Sequence, residues 1–256
     1  MSDALLRLDA VTKRFGESHV LRGVDLRIAP REAVGLIGDN GAGKSTLVKI
    51  LSGVHAPTSG TIEFGGRPVR FGTPLEARSA GIEMIFQDLA LCDDLDAAAN
   101  VFLGREPRRR GVAGVGRWLD RRAMRAQAAA VFEQLGAAIP VDQQVGEMSG
   151  GQRQLVAVAR ALEFEPRLLL MDEPTAALSN AKIHMLLEMV RRLKDRDVAV
   201  LLISHRFTDL IEVCDRIVAL RDGRIAAEIA PRGRDVAELM AEMQEALTGE
   251  TLRAVA

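Results

Sequence analysis

Several things are scarce in this 256-residue chain. There are two cysteines, Cys92 and Cys214, with neither metal-ligand spacing nor a framework pattern, so they read as reduced core residues of a cytosolic protein. No apolar run approaches the roughly 20 residues of a membrane-spanning helix. The start, Met1 to Arg7, lacks a signal-peptide pattern. If a membrane matters, another chain is expected to cross it. There is also no charge excess: the formal net charge is −1, which provides no electrostatic footprint for nucleic acid. What is plentiful is apolar surface, 48% of residues, enough for one large domain or one with a lobe.

One stretch organises the rest: Gly38, Asp39, Asn40, Gly41, Ala42, Gly43, Lys44, Ser45, Thr46. It fits G-x-x-x-x-G-K-[ST], preceded by the apolar run 33–37 and followed by helical spacing from Leu47 to Leu51, so the context is strand, glycine turn, helix. A loop wrapped around phosphate must bring bare backbone N–H groups close, and Gly38, Gly41 and Gly43 permit that. A helix beginning near Lys44 adds unpaired N–H groups and the positive end of its dipole. The Lys44 ammonium suits β/γ-phosphates, and the Ser45 hydroxyl suits Mg²⁺. A dinucleotide turn is disfavoured, because Thr46 stands where it needs a third glycine.

Residues 6–11 and 20–28 alternate apolar and polar, as half-buried antiparallel strands do. Phe15 lies between them, a core or edge ring by itself but able to stack on adenine. Strands are expected at 59–64 and 81–86, the second ending at Gln87, by itself a polar boundary residue. From Asp88 to about Arg160 the pattern turns helical, with one helix over 119–135. Within that block 105–117 reads as a solvated arginine- and glycine-rich loop. The reading is therefore α/β, with an N-terminal antiparallel β subdomain and a helical lobe, about 88–163, inserted in the core.

Ser149 with Gln152 three residues on is a capping box, a sufficient structural reason for those two. It does not explain Gly150 and Gly151, poor helix formers in a first turn. Exposed N–H groups beside a serine hydroxyl make a second anion site, and two half-sites in one chain suggest a dimer. Leu168 to Met171 is a continuous apolar run, as in a central parallel strand, and delivers Asp172 and Glu173 to the carboxyl end where ligands of open α/β sheets bind. With a phosphate loop nearby, Asp172 suits a Mg²⁺ shell and Glu173 a general base. The next buried strand, 198–203, ends at Ser204 and His205, placing that histidine for a γ-phosphate. A hairpin follows at 217–229. A last helix carries Val236, Leu239, Met240, Met243 and Leu247 on one face, for core or dimer packing.

This ordered set, with Leu178, resembles the nucleotide-binding subunit of ABC transporters over nearly the whole chain, residues 4–249 with a tail at 250–256. The resemblance implies a P-loop NTPase core with a mixed sheet, and a head-to-tail dimer that holds ATP between the phosphate loop of one protomer and residues 148–152 of the other. It implies adenine stacking by Phe15, phosphate binding by Lys44 and a Mg²⁺ shell of Ser45, Gln87 and Asp172. It further implies catalysis by Glu173 with His205, sensing and partner coupling by Gln87, and contacts from Ser149, Gly150, Gly151 and Gln152 to the other subunit's ATP.

Residues 81–87, 102–106, 173–179, 203–206 and 247–249 resemble bacterial importers of ribose, xylose and fructose. Such importers often fuse two cassettes in one chain, whereas this chain has one and is similar to the single-cassette form of fructose uptake; the resemblance implies a place at the cytoplasmic face of the inner membrane. The cassette would homodimerise or pair with a relative beneath permease subunits, indirectly served by a periplasmic sugar-binding protein, with no nucleic acid partner. The surface 89–103 is the expected permease contact. Three positions depart from the family pattern: Met148 for leucine, a volume-conserving swap; Asp88 where glutamate is common; and Ser179 where many cassettes carry aspartate. The alternative, an ABC ATPase acting on nucleic acid or ribosomes, usually carries two cassettes, a coiled-coil insertion or a basic arm, none of which is visible.

Overall fold

The computed structural model describes residues 4–85, 89–110, 117–163, 165–175 and 180–249. Its centre is a six-stranded sheet of β3 (Ala33–Ile37), β6 (Ile82–Ile85), β9 (Leu168–Asp172), β10 (Ala199–Ile203), β11 (Arg216–Arg221) and β12 (Arg224–Ile229), in the order β12-β11-β3-β10-β9-β6. All neighbours are parallel except β11 and β12, so the sheet is mixed. Leu168, Leu170, Leu201 and Ile203 enter one core cluster, while Leu169, Met171, Val200 and Leu202 enter the other. Both faces are covered, which is why these strands read as unbroken apolar runs.

One face packs on α1 (Lys44–Leu51), α2 (Pro74–Ala80) and a four-stranded antiparallel sheet, ordered β2-β1-β4-β5, of β1 (Leu6–Phe15), β2 (Ser18–Ile28), β4 (Ser59–Phe64) and β5 (Arg67–Val69). β1 and β2 run further than alternation predicts, because register shifts after Leu8, Val11 and Lys13 interrupt the two-residue period without ending the pairing. Gly65 and Gly66, both at positive φ, close the β4–β5 hairpin, and Asp222 and Gly223 do the same for β11–β12, as a type I′ turn requires. Gly223 accepts from the Arg22 amide at 2.8 Å, tying the two sheets together.

The other face carries α5 (Gly150–Leu162), α6 (Asn180–Asp195), α7 (Phe207–Val213) and α8 (Val236–Thr248), with α3 (Ala97–Val101) and α4 (Arg121–Gln134) packed against α5. Between α3 and α4, β7 (Arg108–Arg110) pairs antiparallel with β8 (Arg117–Leu119). The segment expected to be an unpaired loop therefore includes a short ladder; three residues per strand are too few to show a period. Among the described residues no helix is long and apolar enough to cross a membrane.

Packing revises three expectations. Cys214 is buried, with its thiol pKa raised by burial, but Cys92 is exposed. On α8, Leu239, Met243 and Leu247 enter the core, whereas Val236 and Met240 stay 47% and 41% exposed. Of the apolar residues in 89–103, Ala97, Ala98, Val101 and Phe102 are core, whereas Ala90 and Leu103 are exposed. Leu103 lines a 390 Å³ cavity between α3 and α4 together with Leu95, Ala99, Leu119 and Met124, so the available contact surface is narrower than the stretch.

Candidate active site

The glycine loop joins β3 in mid-sheet to α1, and each glycine has its own reason. A Cβ on Gly38 would sit 2.6 Å from the Leu220 carbonyl of β11. One on Gly43, at φ +109°, would meet Leu21 Cδ2 at 2.6 Å. Gly41 has positive φ with nothing within 4 Å. Neighbouring strands thus forbid side chains at two positions and conformation at the third, leaving the loop's outer rim, Asp39 to Gly41, exposed. The loop is braced by the Ala42 amide on the Asp39 carbonyl (3.1 Å) and the Gly223 amide on the Ala42 carbonyl (3.2 Å).

Lys44, only 8% exposed, reaches back over this loop, its Nζ donating to the carbonyls of Gly38 (2.5 Å) and Asp39 (3.1 Å). Burial lowers its pKa, and the charges of Glu173, Asp172 and Asp39 oppose that shift. Ser45 beside it is exposed.

Asp172 closes β9 next to Ile203 of β10. Burial, then the charge of Glu173, raises its carboxyl pKa against the pull of Lys44. Glu173 follows at φ 50°, a conformation rare outside glycine, with its amide bonded to the Ile203 carbonyl at 3.0 Å. That turn points its carboxylate across the sheet edge, where Oε1 lies 2.5 Å from His205 Nε2. Behind His205, buried Ser204 accepts the Arg206 amide at 3.0 Å, just ahead of α7. Lys44, Asp172, Glu173 and His205, from three different strand ends, converge at one carboxyl edge.

The start of α5 is different. Ser149 Oγ accepts the Gln152 amide at 3.4 Å, and Gln152 Oε1 accepts the Ser149 amide at 2.9 Å, so the capping box forms as expected. Gly150 is exposed with nothing within 4 Å of an added Cβ, while Gly151 packs under Lys182, whose Cδ such a carbon would meet at 2.7 Å. Among the described residues no hydrogen bond or ion pair connects 149–152 with 38–46.

A profile described as ABC transporter matches residues 21–176. The chain belongs to the ABC transporter family. It is 44% identical over 241 residues to the ribose import ATP-binding protein RbsA 2 of Burkholderia cenocepacia (strain HI2424), covering 94% of this chain and 47% of that protein. Its identity to RbsA 2 of Escherichia coli O157:H7 is 40% over 242 residues, with 94% and 47% covered. The chain spans about half the length of these relatives. Among solved structures it superposes on a nucleotide-free ATP-binding cassette from an ABC transporter with TM-score 0.81, 26% identity and 94% and 95% coverage. A dimeric cassette in a post-hydrolysis state, bound to ADP and Pi, gives TM-score 0.72 and 27% identity, with 90% of this chain and 100% of that one covered.

As an ABC ATPase cassette, the chain brings four of its expected residues together at the sheet edge and leaves Ser149 to Gln152 elsewhere. Phe15 lies at the turn end of the β1–β2 hairpin, 44% exposed, edge-on to His55 (5.2 Å between ring centroids), with Lys13 Nζ 4.9 Å from the Phe15 ring. Gln87, Leu178 and Ser179 lie outside the described residues. Sequence reasoning missed Gln244 and Leu247 of α8, which line a 240 Å³ cavity with Asn40, Ser204, His205 and Phe207. Nothing in the 3.6-residue pattern of α8 could have linked it to a loop two hundred residues earlier. Among the described residues no group of three or more His, Cys, Asp or Glu could hold a metal. The donor set here, one hydroxyl and one carboxylate, fits a Mg²⁺ that takes its other ligands from phosphate and water.

Proposed function

We propose that this chain hydrolyses ATP as the nucleotide-binding subunit of a bacterial monosaccharide importer. It works as a head-to-tail pair of single cassettes, each spanning 4–249 with a helical subdomain at about 88–163, peripheral to the cytoplasmic face of the inner membrane beneath permease subunits. The similarity to ribose import proteins supports the sugar class. The observation that carries the ATPase reading is the convergence of Lys44, Asp172, Glu173 and His205 on one edge beside a side-chain-free loop.

Phosphate oxygens seated on the loop amides would replace the carbonyls that now occupy the Lys44 ammonium, bringing that charge to the β/γ bridge. Ser45 and Asp172, with Gln87, would hold Mg²⁺, which neutralises charge on the transferring phosphoryl oxygens when bound. The Glu173 carboxylate accepts the proton of the attacking water. His205 Nε2, paired with Glu173, orients that carboxylate, and the same N–H would reach the γ-phosphate on exchanging its partner. Phe15 offers an exposed face to adenine. Ser149 and Gly150, exposed on this protomer, and Gly151 behind them would contact the nucleotide held by the other.

The test is phosphate release by the purified chain with Mg²⁺-ATP, beside light scattering of Glu173→Gln. That variant is expected to lose at least about a hundredfold in turnover while retaining ATP and running as a dimer. Turnover at the wild-type rate would remove Glu173 from the base role, and a persistent monomer would end the two-protomer reading.

A further inference from the structure

The ladder of β7 and β8 opens a stretch with a charge of one sign that the rest of the chain does not share. From Arg108 to Arg125 the sequence holds seven arginines and one acid, Asp120, in a chain whose net charge is −1. That acid is committed to the fold: Asp120 caps α4, its Oδ1 accepting the Ala123 amide at 3.0 Å. Arg121 and Arg122 follow in the first turn of α4, which holds no acid and where a cation opposes the helix dipole. Arg125 pairs with Asp96 at 3.8 Å, but among the described residues Arg109, Arg121 and Arg122, all exposed, form no ion pair. These arginines do not stabilise the helix they begin.

The register divides the ladder into two faces. Arg108 stands opposite Leu119, and Arg109 opposite Trp118, so successive pairs point to opposite sides. Leu119 lines the cavity between α3 and α4, beside the acids Asp94, Asp96, Glu106 and Asp142. Arg109, Trp118 and Arg122 do not line it. Trp118 is 66% exposed, the most for any large apolar side chain described except Leu75. An exposed indole among unpaired guanidinium groups has the chemistry of a membrane interface: the ring sits at headgroup level and the cations bind lipid phosphate. A nucleic-acid strand would need successive rings to stack on. Among the described residues the other exposed aromatic, Phe15, belongs to the antiparallel sheet.

We propose that the Arg109–Trp118 face of this ladder, flanked by Arg122, docks on the anionic phosphate surface of a lipid bilayer. This contact is separate from any made through permease subunits and does not rest on ATP hydrolysis.

Trp118 is the chain's single tryptophan, so the intrinsic fluorescence of the full chain reads this face directly. It is titrated with vesicles of phosphatidylcholine alone and of phosphatidylcholine mixed with phosphatidylglycerol. With the anionic mixture only, emission should shift to the blue and be quenched by brominated acyl chains, and cosedimentation should weaken as salt rises. Arg109→Gln combined with Arg122→Gln should weaken that binding about twenty-five-fold, about fivefold for each arginine, without lowering the melting temperature. Unshifted emission with anionic vesicles, equal binding to neutral ones, or undiminished binding by the double variant overturns the proposal. Tighter binding to a single-stranded RNA oligonucleotide than to anionic vesicles in the same buffer also overturns it, in favour of nucleic acid. If the double variant does not fold, Arg109→Gln alone is judged by its fivefold loss.

Discussion

The carboxyl edge of the central sheet and the start of α5 both present backbone N–H groups and a hydroxyl, yet they are built differently. At the edge, Lys44 is buried, burial and the charge of Glu173 raise the Asp172 carboxyl pKa, and His205 is already paired. Three strands fix these groups within one chain. At the start of α5 the serine and glutamine satisfy each other, and Gly150 faces open space. That second feature is locally stable without a ligand: Gly151 makes room for Lys182, whereas Gly150 gains a purpose only when something outside the protomer approaches.

The contrast can be broken most strongly at Lys44. Lys44→Ala removes the charge at the edge and should weaken ATP binding by at least about a hundredfold, measured by nucleotide titration; affinity within threefold of wild type would show that the loop amides suffice alone. Next, Gly43→Ala places a Cβ at a left-handed position 2.6 Å from Leu21. It should destabilise the fold by about 2 kcal/mol or more, read from the denaturant midpoint. Gly150→Ala sharpens the comparison from the other side. With open space around it, the monomer should be no less stable and up to about 1 kcal/mol more so, while the ATP-dependent dimer of a Glu173→Gln background is lost. Retention of that dimer would separate Gly150 from the interface.

The smallest effect concerns Asp172. Its carboxyl pKa is raised in the folded chain above the usual 3.8, burial being the larger cause. The folded state therefore binds that proton more tightly than the unfolded one, and stability falls as pH rises from that value through the raised folded value. Asp172→Asn should melt about 2 °C higher than wild type at pH 7 without nucleotide, with the gap closing toward pH 4. A gap that widens on acidification would reverse the assigned sign.

Much of this was legible in the residues because local chemistry was under strong constraint. A continuous run such as Leu168 to Met171 has few places to go other than a sheet covered on both faces, and Ser149 with Gln152 has few roles other than a cap. Alternation failed where bulges broke it in β1, and a three-residue ladder such as Arg108–Arg110 with Arg117–Leu119 was invisible. Helical spacing described α8 as one stripe, yet the fold buries Leu239, Met243 and Leu247 and leaves Val236 and Met240 outside.

The chain's own order of residues determined the phosphate loop, its flanking strand and helix, the acids ending β9 and the cap of α5, because each depends on neighbours a few positions apart. Only the tertiary structure decided that Glu173 turns onto His205, that Leu220 and Leu21 forbid side chains on Gly38 and Gly43, and that α8 walls the same cavity. Those contacts join strand ends and helices far apart in the chain, and burial and approach between such partners are properties of packing that no local pattern encodes.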